Sequence, residues 1–76
     1  MKRENLKEFN ILSKTLSELR QANGLTQMDV AGKLNITYQS YQAYELGIAV
    51  PSLQNFIKLA DFYDVSLDYL IGRTEL

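Results

Sequence analysis

The chain contains neither cysteine nor histidine. The first absence excludes a disulfide staple and any thiolate nucleophile or metal ligand. The second removes the commonest general base and the commonest transition-metal ligand. No apolar run approaches the roughly 18 residues of a membrane span. The N-terminal MKRENLKEF carries charge without the apolar centre of a secretory signal. A cytoplasmic location with no membrane partner is the expectation. An excess of positive charge is also missing: eight basic residues face nine acidic ones, for a net charge of −1. The balance is uneven. Residues 1–50 hold six basic and five acidic side chains, leaving +1, and residues 51–76 hold two and four, leaving −2. Neither half is the basic patch of a strong nucleic-acid binder.

What is present is helix punctuation. Seventy-six residues, 46% of them hydrophobic, make one domain near the lower size limit for unaided folding. Its stability must come from close helix packing, with a dimer interface as the natural supplement. Leu12, Leu16 and Leu19 lie at helical spacing, and Asn23-Gly24 ends that first helix. Its start falls between Leu6 and Ile11, because Asn5 with Glu8 has the spacing of a capping box and Leu6 and Phe9 extend the apolar stripe. Thr26 with Asp29 is a clearer box and opens a second helix that stops near Leu34. Thr37 caps a third helix from Tyr38 to Leu46, ended by Gly47. Ser52 caps a fourth, with Leu53, Phe56, Ile57, Leu59, Ala60 and Tyr63 on its apolar face, and Ser66 caps a short fifth helix from Leu67 to Ile71. The fold class expected is all-α, with no room for strands.

The stretch Gln27 to Leu46, QMDVAGKLNITYQSYQAYEL, has the pattern of two short helices crossing steeply around a tight turn. Val30, Leu34, Ile36, Tyr41 and Tyr44 fall where such a pair must be apolar. Ala31 sits at the close approach, and Asn35 takes the left-handed turn position. This is the pattern of a helix-turn-helix, whose second helix normally enters the major groove of DNA. With Tyr41 and Tyr44 turned inward, Tyr38, Gln39 and Gln42 face outward. An outward Gln39 amide suits a bidentate pair with adenine, worth roughly 1–3 kcal/mol of discrimination.

Together with LSELRQANGLTQ (16–27), YELG (44–47) and PSLQNFIKLADFYDVSLDYLIGR (51–73), the motif resembles the Cro/cI-type (XRE) helix-turn-helix family of transcriptional regulators. The resemblance spans residues 11–73. It leaves 1–10 as an N-terminal extension overlapping the start of the first helix and 74–76 as a tail. It implies a compact five-helix, lambda-repressor-like domain that binds double-stranded DNA with a palindromic operator as a homodimer, most often as a repressor. Carried over by position, Gln27 grips a phosphate and buttresses the third helix. Thr37, Tyr38, Gln39, Ser40, Gln42 and Ala43 match DNA-facing positions, and Tyr44 points its hydroxyl toward a phosphate. Arg20 and Glu45 match a structural ion pair. The chain departs from the family at Ala43, Leu46 and the loop Ile48-Ala49-Val50, where polar or basic residues are usual.

Those departures motivate the alternative: a protein-interaction module on the same scaffold, such as an antitoxin, anti-repressor or adaptor. Leu46, Ile48 and Val50 either meet a protein partner or fold back to complete the core. Tyr63, Val65, Leu67, Tyr69, Leu70 and Ile71 exceed what one short helix needs, so part of that set is expected to form a dimer patch. Asp61, Asp64 and Asp68 sit at or near helix ends with no Gly-rich calcium loop, which reads as solvated surface and not as a metal site. Without His or Cys, no nucleophile–base arrangement presents itself, so neither catalysis nor a cofactor is expected.

Overall fold

In the computed structural model, which describes residues 6–74, five helices follow one another and no strand occurs among the described residues. They are α1 (Lys7–Ala22), α2 (Gln27–Leu34), α3 (Tyr38–Leu46), α4 (Leu53–Tyr63) and α5 (Leu67–Leu70). Side-chain caps set four of the five starts. The Thr26 hydroxyl accepts from the Asp29 amide at 3.0 Å while the Thr26 amide donates to the Asp29 carboxylate at 2.9 Å. Thr37, Ser52 and Ser66 each accept from the amide three residues on. Each such cap stabilises its helix by about 1 kcal/mol. Asn35 and Asp64 end α2 and α4 in the left-handed conformation, both at φ 57°, which non-glycine residues seldom adopt unless their side chains are short and polar.

Three details differ from the expectation. Leu6 occupies the N-cap of α1 without a side-chain cap and lies half exposed, so it does not extend the apolar stripe. The box expected of Asn5 with Glu8 involves a residue outside the described range. At the other end, α5 stops at Leu70 and Ile71 becomes its C-cap, because Gly72 turns left-handed there. The turn lays the chain against α1 so closely that a Cβ on Gly72 would fall 2.7 Å from the Ile11 side chain.

Every helix contributes to one core: Leu12 and Leu16 from α1, Val30, Ala31 and Leu34 from α2, Tyr41 and Tyr44 from α3, Leu59, Ala60 and Tyr63 from α4, and Leu70 from α5. Burying each large apolar side chain contributes roughly 1.5–3 kcal/mol. The five-helix, lambda-repressor-like architecture expected of the sequence is the one observed.

Two apolar segments behave differently from one another. The C-terminal set, expected to overflow into a surface patch, is mostly consumed by the core. Tyr63 and Leu70 are buried, Val65, Tyr69 and Ile71 are partly buried, and Leu67 alone of the six stands exposed. The loop after α3 goes the other way. Leu46, Ile48 and Val50 are 64%, 76% and 53% exposed, so they do not complete the core. No helix of the described residues is long and apolar enough to cross a membrane.

Candidate nucleic-acid interface

The sequence places a small residue, a left-handed turn and a capped helix start in succession, and the structure turns these into one rigid unit. Ala31 is buried where α2 meets α3. Beyond Asn35, the Ile36 amide returns to the Ala31 carbonyl at 3.0 Å, and Ile36 packs on the core. The Thr37 hydroxyl then accepts from the Ser40 amide and donates to the Ser40 hydroxyl at 2.9 Å. Thr37 and Ser40 are thus engaged with each other at the start of α3.

Because Tyr41 and Tyr44 are buried, the opposite side of α3 faces outward. Tyr38 and Gln39 are exposed, and Gln42 and Ala43 are partly exposed. Gln42 Nε2 donates to the Tyr38 hydroxyl at 3.2 Å, one turn away. The outward surface is therefore a phenol, two amides and a methyl group, with no charge. A shallow groove of about 360 Å³ separates Tyr38 from the first turn of α2 and is lined also by Arg20, Leu25, Thr26, Gln27 and Met28.

Beneath α3 the chemistry reverses. The Glu45 side chain is 5% exposed and its partner Arg20 16%. The pair is bidentate: Arg20 Nε donates to Oε2 at 2.7 Å and Nη2 to Oε1 at 3.1 Å, while Nη1 donates to the Leu25 carbonyl at 2.9 Å. Gln27 Nε2 donates to Glu45 Oε1 at 3.0 Å, so one amide hydrogen of Gln27 is committed inside the fold. The Tyr41 hydroxyl also bonds the Glu45 carboxylate and lies 3.0 Å from the Tyr63 hydroxyl. With its proton donated to Glu45, Tyr41 accepts from Tyr63. Residues of α1, α2, α3 and α4 converge on this one carboxylate.

Burial alone would raise the Glu45 pKa. The hydrogen bonds from Arg20, Tyr41 and Gln27, together with the Arg20 charge, outweigh it and hold the carboxyl below its ordinary value of 4.5. The bond to Glu45 raises Arg20 in turn, against its own desolvation. Burial pushes Tyr41 and Tyr63 up. Every buried side-chain nitrogen or oxygen among the described residues has a hydrogen-bond partner.

Tyr44 is buried, and its hydroxyl accepts from Asn55 Nδ2 at 3.1 Å. That bond ties the end of α3 to the first turn of α4 and leaves the hydroxyl proton of Tyr44 uncommitted. From Leu34 to Ile57 the chain carries one charge, Glu45, and the ion pair neutralises it. The flanking cations are Lys33, exposed at the end of α2, and Lys58, whose ammonium donates to the Leu34 carbonyl at 3.4 Å. Asp61 and Asp64 lie at the end of α4 and Asp68 on α5. No group of acidic residues suited to a metal ion occurs among the described residues.

Comparison with known proteins adds sequence kinship to this geometry. A family model described as helix-turn-helix matches residues 16–70. The chain is 43% identical over 61 residues to the HTH-type transcriptional regulator YqaE of Bacillus subtilis, covering 80% of this chain and 53% of that protein. It is 42% identical over 65 residues to the HTH-type transcriptional regulator ImmR of the same organism, covering 86% and 51%. The cryptic phage CTXphi transcriptional repressor RstR of Vibrio cholerae is 36% identical over 62 residues, covering 82% and 55%. The chain spans about half the length of these curated relatives.

Proposed function

This chain belongs to the helix-turn-helix family, and we propose that it is a sequence-specific, double-stranded DNA-binding transcriptional regulator, acting as a repressor in the cytoplasm. The observation that carries this reading is the exposed first turn of α3, where Tyr38, Gln39 and Gln42 stand outward on a helix whose other side is locked into the core. In this reading α3 enters the major groove. Gln39 pairs with adenine N6 and N7, and the Tyr38 ring packs on a thymine methyl. Gln42 and Ala43 extend the contact toward the middle of the helix. Thr37 and Ser40 hold the helix start against the backbone, and the groove between Tyr38 and α2 takes a phosphate near the amides of the α2 N-terminus.

The polar network gives Gln27 two tasks. One amide hydrogen holds Glu45, and the other, with the side-chain carbonyl, is free to meet the DNA backbone. The uncommitted Tyr44 proton donates to a second phosphate. Few charges take part, so about two to four phosphates per homodimer are neutralised and log K falls with log salt at a slope of roughly −2 to −4. A palindromic operator follows from two-fold symmetry, with half-sites about one helical turn apart, roughly 34 Å. The relative RstR, named as a repressor, supports the sign of the regulation.

The test is selection of duplexes from a random library, with winners titrated by fluorescence anisotropy across salt concentrations. An enriched palindrome bound with a shallow slope supports the reading. No enrichment by a protein that circular dichroism shows to be helical, or a slope steeper than about −6, contradicts it. A contact with another protein is the second reading, as an antitoxin, anti-repressor or adaptor. The exposure of Leu46, Ile48 and Val50 favours some protein contact.

A further inference from the structure

Five apolar side chains outside the core lie within twelve residues: Leu46, Ile48, Val50, Leu53 and Ile57, between 42% and 76% exposed. Leu46 is the last residue of α3, and Leu53 and Ile57 stand one turn apart on α4. A single exposed leucine is ordinary. Five together present on the order of 500 Å² of apolar surface, a size that marks an interaction site, and a standard interface takes about 800 Å² from each partner.

We propose that this surface is where two copies of the chain meet. The inference rests on the DNA-binding reading for its purpose and deepens it, since it names how the second half-site is engaged. Three observations select a second copy over another occupant. Residues 46–57 carry no charge at all, in a chain with 22% charged residues. A patch on a two-fold axis faces its own image, so any charge there repels itself, while a neutral apolar patch is self-complementary. A charged peptide or a phosphate backbone would find nothing on it to pair with.

The second observation is where the patch lies on α3. The outward reading residues occupy the first turns, and Leu46 closes the opposite end. From Gln39 to Leu46 the helix rises about 10 Å at 1.5 Å per residue. Two such helices directed end to end across a side-chain contact of about 10 Å set their reading residues roughly 30 Å apart. That is close to the roughly 34 Å between successive major grooves on one side of the duplex. The third is the fate of the C-terminal segment. Its apolar side chains are largely spent in the core, which leaves Leu67 as its one exposed large hydrophobic and moves the self-association surface to the loop and α4.

Sedimentation equilibrium of the 76-residue chain, without DNA, tests the contact directly. We expect wild type to associate reversibly to a dimer. Leu53→Asp and Ile48→Lys should each weaken association at least tenfold, with the dilute-solution melting curve unchanged because both side chains are exposed. On a palindrome from the library selection, wild type should bind at least tenfold tighter than on one half-site of it. Ile48→Lys should lose that advantage while keeping or improving half-site binding, since a lysine adds a phosphate contact. Variants that associate and discriminate like wild type would overturn the proposal. So would a wild type that is monomeric at every concentration and binds palindrome and half-site alike. If no duplex is selected, the DNA reading fails while sedimentation still decides the contact.

Discussion

Two surfaces of α3 divide its chemistry in opposite ways. Below the helix, one carboxylate gathers Arg20, Gln27 and Tyr41, with Tyr63 behind, and every donor has an acceptor. Around its outward face and along the chain that follows, no charge stands free between Lys33 and Lys58. The difference teaches where this chain uses electrostatics. Charge fixes the orientation of the helix and is absent from the surface it presents. Recognition must therefore rest on neutral donors, methyl groups and shape, and the attraction that lysines usually supply has to come from a second copy binding the same duplex.

The contrast breaks most sharply at Glu45. Glu45→Ala strands a largely buried guanidinium and should cost about 3–5 kcal/mol, a large share of the stability of so small a domain. Thermal melting checks it, and a variant melting within a few degrees of wild type would show that the network carries little. Tyr63→Phe should cost less, about 1–3 kcal/mol, because the Tyr41 hydroxyl loses a donor while still bonding Glu45. Chemical denaturation of Tyr63→Phe beside Phe56→Tyr, which leaves the network intact, separates this loss from general disturbance of α4.

Acid sharpens the same comparison. The folded pKa of Glu45 lies below its unfolded value, so its contribution is fully present above about pH 4.5 and is lost as pH falls through the folded value. Asp29, lowered by the amide and hydroxyl of Thr26, adds a loss of the same sign from an exposed cap. Stability measured from neutral pH downward should hold and then decline, and the decline should be shallower in Asp29→Asn. A stability that rose through this range would contradict the account. The smallest effect is expected on the charge-free outer surface: doubling the salt should change operator affinity only about four- to sixteen-fold for slopes of −2 to −4.

Much of this architecture was legible because it rests on local chemistry. Thr26 with Asp29, Asn35 and Gly47 each mark a helix end through a requirement of one or two turns, and the structure places α2 and α3 between them. Outward Tyr38 and Gln39 follow from inward Tyr41 and Tyr44 by helical period. The Tyr41–Tyr63 hydroxyl pair was not legible. It joins residues 22 apart in the chain, and periodicity marks both simply as core. The two apolar segments were the harder problem. Counting hydrophobic residues cannot say whether Tyr63 to Ile71 or Leu46 to Val50 reaches the core first. Gly72, which folds the C-terminal turn onto Ile11, and the short α5 settle that in favour of the C-terminal segment.

The central claim is that the first turn of α3 reads bases, and Gln39 is where it can be changed without touching the network beneath. The most direct measurement is a pair of random-library selections, one with wild type and one with Gln39→Arg, both confirmed helical by circular dichroism. An arginine pairs with guanine O6 and N7 where a glutamine pairs with adenine. The account predicts two palindromes of identical half-site spacing that differ by an A·T to G·C exchange at one symmetric position. The same operator from both proteins, or no enriched operator from either, would contradict it.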